Sequence, residues 1–204
     1  VIAGDVYIGA GETDAVRLLA KAAKEIQSRY PGIHYHISSG NVEFVLEQLD
    51  KGLIDFGLVF GHVDFDKYNA IKIPVKDTWG VLMRKDSELA HQNTITPEDL
   101  RNKPLIISHQ KNQSGEFSSW LNCNIDQLNI VATYNLLFNA SLLVDEGLGY
   151  AIGLDKIINM GENSNLCFRP LAPVVEAELS IIWKKYQVFS KPAEQFMIKI
   201  KELQ

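Results

Sequence analysis

The chain of 204 residues carries only two cysteines, Cys123 and Cys167, with no Cys-x-x-Cys spacing. A disulfide-built scaffold is excluded, and the two thiols read as reduced side chains of a cytoplasmic protein. Long apolar runs are also missing: no stretch approaches the ~18 residues of a membrane span. Val1 to Gly9 has neither the charged start nor the apolar core of a signal peptide. Basic clusters are equally scarce. Lys and Arg number 20 against 25 Asp and Glu, the net charge is −5, and no basic run exceeds a pair such as Lys184-Lys185. Autonomous nucleic-acid binding, which needs a clustered basic face, is therefore disfavoured, as is an anionic membrane surface. Nucleophile motifs are absent as well. There is no Gly-x-Ser-x-Gly, and Cys123 in Trp120-Leu121-Asn122-Cys123 reads as part of a helix end. Neither an enzyme, a catalytic residue nor a cofactor is expected.

What the chain does contain is a strand–polar loop–helix pattern written twice. An apolar content of 46% with 22% charged residues is that of an ordinary globular protein. The length suits one large domain or two of about 100 residues each. The first copy runs Val6-Tyr7-Ile8-Gly9-Ala10 through Gly11-Glu12-Thr13 into a helix, then Ile33 to Ser39-Gly40-Asn41 into a second helix, then Phe56 to Phe60. The second copy runs Leu105 to Ser108 towards a helix near Ser114, then Asn129 to Thr133 into a helix after Asn135, then Tyr150 to Gly153. Two β-α-β-α-β units imply two mostly parallel sheets, and open sheets of this kind bind ligands beyond the carboxyl ends of their strands.

Helical periodicity is plain where the copies are strongest. Ala15, Leu19, Ala22, Ala23, Ile26 and Tyr30 share one face, with Thr13 or Asp14 as the expected N-cap and Pro31-Gly32 as the stop. Val42, Val45, Leu46, Leu49 and Leu53 form the next apolar face, with Gly52 as a left-handed C-terminal cap. Ile71 to Lys85 reads as an extended crossing between domains. Thr96-Pro97-Glu98-Asp99-Leu100 begins a helix with Thr96 as N-cap. The last helix starts near Ser190 to Pro192 and buries Ala193, Phe196, Met197, Ile200 and Leu203.

The candidate binding residues are the small polar groups at the strand ends. Gly9-Ala10-Gly11-Glu12-Thr13-Asp14 lacks the third glycine of a dinucleotide loop, and Asp14 would repel a pyrophosphate at the helix start. It reads instead as a tight turn presenting Glu12, Thr13 and backbone N–H groups to a ligand, although a simple cap remains an open alternative. Ser38-Ser39-Gly40-Asn41 offers the same two readings. Ser108, His109 and the polar loop Gln110 to Gly115 are the second copy's counterpart. Phe60 and Gly153, at the ends of the third strands, complete the set. His34 and His36 lie two apart on one strand face without a third ligand, so a polar outer face is expected and no metal site.

The order of these blocks resembles the effector-binding domain of LysR-type transcriptional regulators. The resemblance is carried by Ile8-Gly9 before a loop, Leu18-Leu19, Tyr30-Pro31-Gly32-Ile33, and Leu49-Asp50-Lys51-Gly52-Leu53-Ile54-Asp55-Phe56-Gly57-Leu58. It continues in Trp79-Gly80-Val81-Leu82-Met83-Arg84-Lys85-Asp86-Ser87-Glu88-Leu89-Ala90 and in Val144-Asp145-Glu146-Gly147-Leu148-Gly149-Tyr150-Ala151-Ile152. It implies an α/β, two-lobed type 2 periplasmic-binding-protein fold. Each lobe would be a mixed, mostly parallel sheet flanked by helices, and two crossing strands would join them. Residues 1–75 with 180–204 would form lobe I and 76–179 lobe II.

The resemblance further implies a small-molecule effector in the interlobe cleft and a homodimer or homotetramer. DNA would be bound only through an N-terminal domain upstream of Val1, absent from this chain, and no membrane would be involved. The effector-binding residues it implies are Glu12, Thr13, Gly40 and Asn41, then Ser108, His109, Ser114, Phe117 and Asn135. Because the strand-end loops contain Glu12 but no Arg, with Lys111 the only nearby cation, the effector is expected to be neutral, amine-bearing or weakly anionic. An extracytoplasmic solute-binding protein of the same fold is the alternative.

Overall fold

The computed structural model describes residues 1–109 and 117–203. Its strands are β1 (Gly4–Ala10), β2 (Ile33–Ser39), β3 (Phe56–Phe60), β4 (Tyr68–Arg84), β5 (Leu105–Ser108), β6 (Ile130–Tyr134), β7 (Tyr150–Leu154), β8 (Leu166–Pro170) and β9 (Glu176–Lys184). The principal helices are α1 (Val16–Arg29), α2 (Val42–Asp50), α3 (Leu137–Asp145) and α4 (Lys191–Lys201), with a short helix over 117–121. The chain divides into two compact units: Val1–Lys76 with Glu178–Gln204, and Asp77–Ala177. It leaves the first unit within β4 and re-enters it within β9.

The first unit is wound around β1, which pairs in parallel with β2 on one side and β3 on the other; β9 closes it antiparallel to β3. α1 forms because its apolar residues recur at helical spacing. It buries Leu19, Ala22 and Ile26 against Ile8, Phe56 and Phe196, the last contributed by α4. Each large side chain so buried is worth about 1.5–3 kcal/mol, so Leu19→Ala would be among the most damaging changes here. α2 packs Val45 and Leu49 in a neighbouring cluster with Ile54, Val59 and Ile182.

The second unit repeats the winding. β5 pairs in parallel with β6 and β7, and β4 runs antiparallel to β7 with β8 on its other edge. Its core gathers Leu82, Ile106, Leu137, Ala140, Val144 and Ala151.

The helix C-termini match in detail. Gly52 has φ of +71°, with its N–H donating to Leu49 O (3.0 Å) and the Leu53 N–H to Gln48 O (2.9 Å). Gly147 has φ of +85°, with N–H bonds to Val144 O and, from Leu148, to Leu143 O, both 2.9 Å. Both are left-handed caps of the Schellman type, and glycine meets that backbone without strain.

Four expectations from the sequence need correction. Leu53 is exposed rather than part of the α2 face, because it follows the reversing glycine and lies outside the helix. α1 begins at Val16 with Ala15 as its N-cap, not Thr13 or Asp14. The segment opened by Thr96 is a single 3-10 turn, Pro97–Leu100, closed by Thr96 N–H and Oγ donating to Asp99 Oδ2 at 2.8 and 2.9 Å. Leu203 is only partly buried, because α4 ends at Lys201 and leaves it outside the helix. The helix predicted near Ser114 is described over 117–121, and Ser114 itself lies outside the described residues.

Candidate functional site

In the first unit β1 ends at Ala10, whose carbonyl accepts the Gly40 N–H at 3.0 Å, so the loops after β1 and β2 are tied together. Between Ala10 and α1 the chain makes tight turns. The Val16, Arg17 and Leu18 N–H groups donate to Thr13, Asp14 and Ala15 carbonyls at 3.3, 3.0 and 3.0 Å. Thr13 Oγ1 accepts the Ala15 N–H at 3.0 Å, and Asp14 pairs with Arg17 at 3.2 Å. Thr13 thus shapes the approach to the helix instead of capping it.

Gly11, which the sequence reading did not single out as a binding residue, lies at the centre of this rim. A Cβ on it would sit 3.5 Å from Phe60 Cε2 and 3.6 Å from the Gly40 carbonyl oxygen. Gly40 and Phe60 thus close on Gly11, which Glu12 follows directly in the chain as Asn41 follows Gly40. The signal was present in Gly9-Ala10-Gly11, where the second glycine permits close approach of the backbone. Gly40 is buried under the Phe44 ring: a Cβ there would lie 2.0 Å from Cδ1. Asn41 is the N-cap of α2, its Oδ1 accepting the Phe44 N–H at 2.8 Å. One of its polar atoms is thereby committed to the helix, while its amide NH2 can still donate.

Two carboxyl groups of the first unit stand out, one on this rim and one far from it. Glu12 Oε2 is buried and accepts no hydrogen bond. Asp55 lies at the opposite end of β3, where its Oδ2 accepts the Tyr7 N–H at 2.9 Å and its own N–H donates to Tyr7 O at 2.8 Å. Burial raises the Asp55 pKa above the ordinary value of 3.8, and the Tyr7 bond opposes that only in part.

The second unit's strand ends are arranged differently. Ser108 faces Tyr134 in the β5–β6 register, and the His109 N–H donates to Tyr134 O at 3.0 Å, with the imidazole exposed. Tyr134 Oη donates to Ile152 O at 2.6 Å. Gly153 is buried in β7, where a Cβ would lie 3.0 Å from Leu137 Cδ1 and 3.1 Å from Tyr134 Oη, so packing explains the glycine. Phe117 is buried and stacks on Trp120 at 5.8 Å, and Trp120 Nε1 is buried without a hydrogen-bond partner. Asn135 is exposed; its Oδ1 accepts the Leu136 N–H at 3.0 Å and does not cap α3. Ser114, with Lys111 and the rest of Gln110 to Gly115, lies outside the described residues.

Among the described residues no group of three or more His, Cys, Asp or Glu could hold a metal. His36 instead meets Asp5 Oδ1 at 2.8 Å and stacks on Tyr7 at 4.7 Å. No helix among the described residues is long and apolar enough to cross a membrane.

Comparison with known proteins adds what geometry alone leaves open. Residues 2–203 match the family model described as the LysR substrate binding domain. An uncharacterised HTH-type transcriptional regulator of Bacillus subtilis, YvbU, is 26% identical over 201 residues, which are 98% of this chain and 68% of that protein. A second, YfeR of Shigella flexneri, is 26% identical over 95% of this chain and 63% of its own length. This chain thus spans about two thirds of the curated relatives it matches. Among solved structures, the effector binding domain of QuiR in complex with shikimate superposes with a TM-score of 0.83 at 13% identity, covering 97% of this chain and 95% of that one. HinK, a LysR family regulator from Pseudomonas aeruginosa, gives 0.79 at 22% identity, covering 99% and 71%. At these identities the likeness shows a shared fold.

Proposed function

The chain belongs to the LysR substrate binding domain family, and on that premise we propose that it is the effector-sensing part of a cytoplasmic LysR-type transcriptional regulator. A small metabolite is bound by the polar strand-end rims. Binding favours one arrangement of a homodimer or homotetramer through unequal contacts with the competing arrangements, and so changes DNA binding by a domain elsewhere in the intact protein. The observation that carries this reading is the convergence of Gly11, Gly40 and Phe60, with Glu12 and Asn41 next to them in the chain, at the ends of parallel strands in a family-matched fold. The curated relatives named as transcriptional regulators support a regulatory role over solute uptake or catalysis.

Two exposed apolar areas support self-association. On the first unit's β1 and β2, Tyr7 and Ile37 are 41% and 52% exposed; on the second unit Val131, Phe138 and Leu142 are 41%, 57% and 52% exposed. The rim itself, with Glu12 and no arginine, supports a neutral, amine-bearing or weakly anionic effector.

The test is a thermal-shift and calorimetric screen of metabolites against the wild type, Thr13→Ala and Asn41→Ala, with sedimentation of Phe138→Glu alongside. At least one ligand should raise the wild-type Tm and bind the two rim variants more weakly. Phe138→Glu should sediment as a smaller species. Ligands indifferent to both rim substitutions would remove this rim from the site, and a Phe138→Glu protein of unchanged size would remove that face from the assembly.

A further inference from the structure

Deepening the effector-sensor reading, on which it rests, we propose that Glu12 selects effectors carrying an ammonium group. Glu12 Oε2 is buried without a donor, whereas the residue as a whole is only partly buried. The side chain thus borders solvent, and a turn about its own bonds would bring Oε2 to a ligand. A buried carboxylate oxygen without a donor is costly, and the cost is relieved by a group that brings N–H or O–H to it.

Five cations of the first unit are engaged elsewhere. Arg17 pairs with Asp14, Lys51 with Glu47, Lys72 with Glu178 and Lys199 with Glu25 and Glu202, while Lys184 Nζ donates to the Asp50 carbonyl. None of these pairs involves Glu12. Nor is the carboxylate part of the local hydrogen bonding that builds the turn, which uses Thr13 Oγ1 and backbone carbonyls. Shaping the turn therefore does not account for an acid at this position.

The surroundings favour a cation over a neutral donor. The carbonyl oxygen of Gly40 faces Gly11, the residue next to Glu12, and the Phe60 ring lies on the same side. A carboxylate and a carbonyl dipole each attract positive charge, and a carboxylate effector would meet repulsion from both. An ammonium donating to Glu12 forms a charge-assisted hydrogen bond, stronger than one from a hydroxyl.

The test is titration calorimetry of this chain with matched probes: ethanolamine, putrescine and glucosamine as ammonium compounds, glycerol and glucose as neutral ones, and succinate and benzoate as carboxylates. Each is run on the wild type, Glu12→Gln and Glu12→Asp, with a thermal melt of each protein. At least one ammonium probe should bind the wild type roughly tenfold or more tightly than the neutral probes. Glu12→Gln should abolish that preference while the melt shows a folded protein, and Glu12→Asp should retain part of it. An ammonium probe that binds Glu12→Gln as tightly as wild type overturns the assignment. Binding of neutral or carboxylate probes alone overturns it too, but leaves the sensor reading standing. Failure of every class to bind counts against both.

Discussion

The two units share a winding and differ in how they finish it. β2-β1-β3-β9 in the first and β6-β5-β7-β4 in the second have the same order and the same pattern of parallel and antiparallel partners. Both helices that precede the third strand end in a left-handed glycine, Gly52 and Gly147. Beyond that glycine they diverge. In the first unit Asp55 and Tyr7 exchange backbone and side-chain bonds to dock β3 on β1. In the second the Tyr150 N–H donates to Pro104 O at 2.9 Å, and Gly149 is required because a Cβ would come within 2.5 Å of the same oxygen. Beyond the carboxyl ends of the strands Asn41 caps α2 while Asn135 leaves α3 without a side-chain cap. A repeated backbone plan thus fixes where the rims are, but not which polar groups remain available on them.

Among changes that separate the two units, the largest difference should come from the rim glycines. Gly40→Ala drives a methyl into the Phe44 ring and should cost about 2–3 kcal/mol, as overpacking does. Gly153→Ala meets only the ends of Leu137 and Tyr134 and should cost about 1 kcal/mol or less. Urea denaturation of both would break the contrast if the two costs were equal.

The C-terminal glycines should behave alike. Gly52→Ala and Gly147→Ala have room for a methyl but positive φ, so each should lose about 1 kcal/mol. Unequal losses would show that the matching caps are not equivalent in energy.

The asparagines should separate the units again. Asn41→Ala should lose about 1 kcal/mol as a cap, and Asn135→Ala at most about 0.5 kcal/mol. Equal melting temperatures for the two variants would contradict the observed bonding.

The smallest effect is a pH dependence of opposite sign in each unit. Asp55 has a raised pKa, so its native state retains the proton longer than the unfolded chain. Its contribution is most favourable below 3.8 and declines as pH rises through the raised value. Asp55→Asn, which can still accept the Tyr7 N–H, should gain on the wild type as pH rises through that window. Asp99 is pushed up by burial, but the bonds from Thr96 and Gln92 and the charge of Lys103 outweigh this and lower its pKa. Its contribution is present above 3.8 and lost as pH falls. Asp99→Asn should therefore lag the wild type near neutrality and approach it in acid, as followed by denaturation across pH.

Much of this was legible in the residues. The helical face of α1, the Asn41 cap allowed as an alternative to binding, and Gly52 as a reversing residue all follow from spacing and local chemistry. The ordered motif blocks led to the family that the comparisons bear out. What remained hidden depends on neighbours distant in the chain. Gly11 acquires its place only because Gly40 and Phe60 fold against it. The orphaned Glu12 oxygen is a property of burial, which no spacing reveals. Leu53 misled because helical periodicity continues one turn beyond the point where Gly52 reverses the chain.

The double crossing through β4 and β9 also sets an order of events during synthesis. Residues 77–177 leave the ribosome as one uninterrupted stretch, whereas the first unit waits for residues 178–204. Those last residues bring β9 against β3 and place Phe196 and Ile200 in the first unit's core. The later-made unit is therefore the first whose complete sequence is available to fold. The nascent first unit meanwhile exposes an open β3 edge and an unfilled core, the kind of surface on which chaperones and aggregation compete.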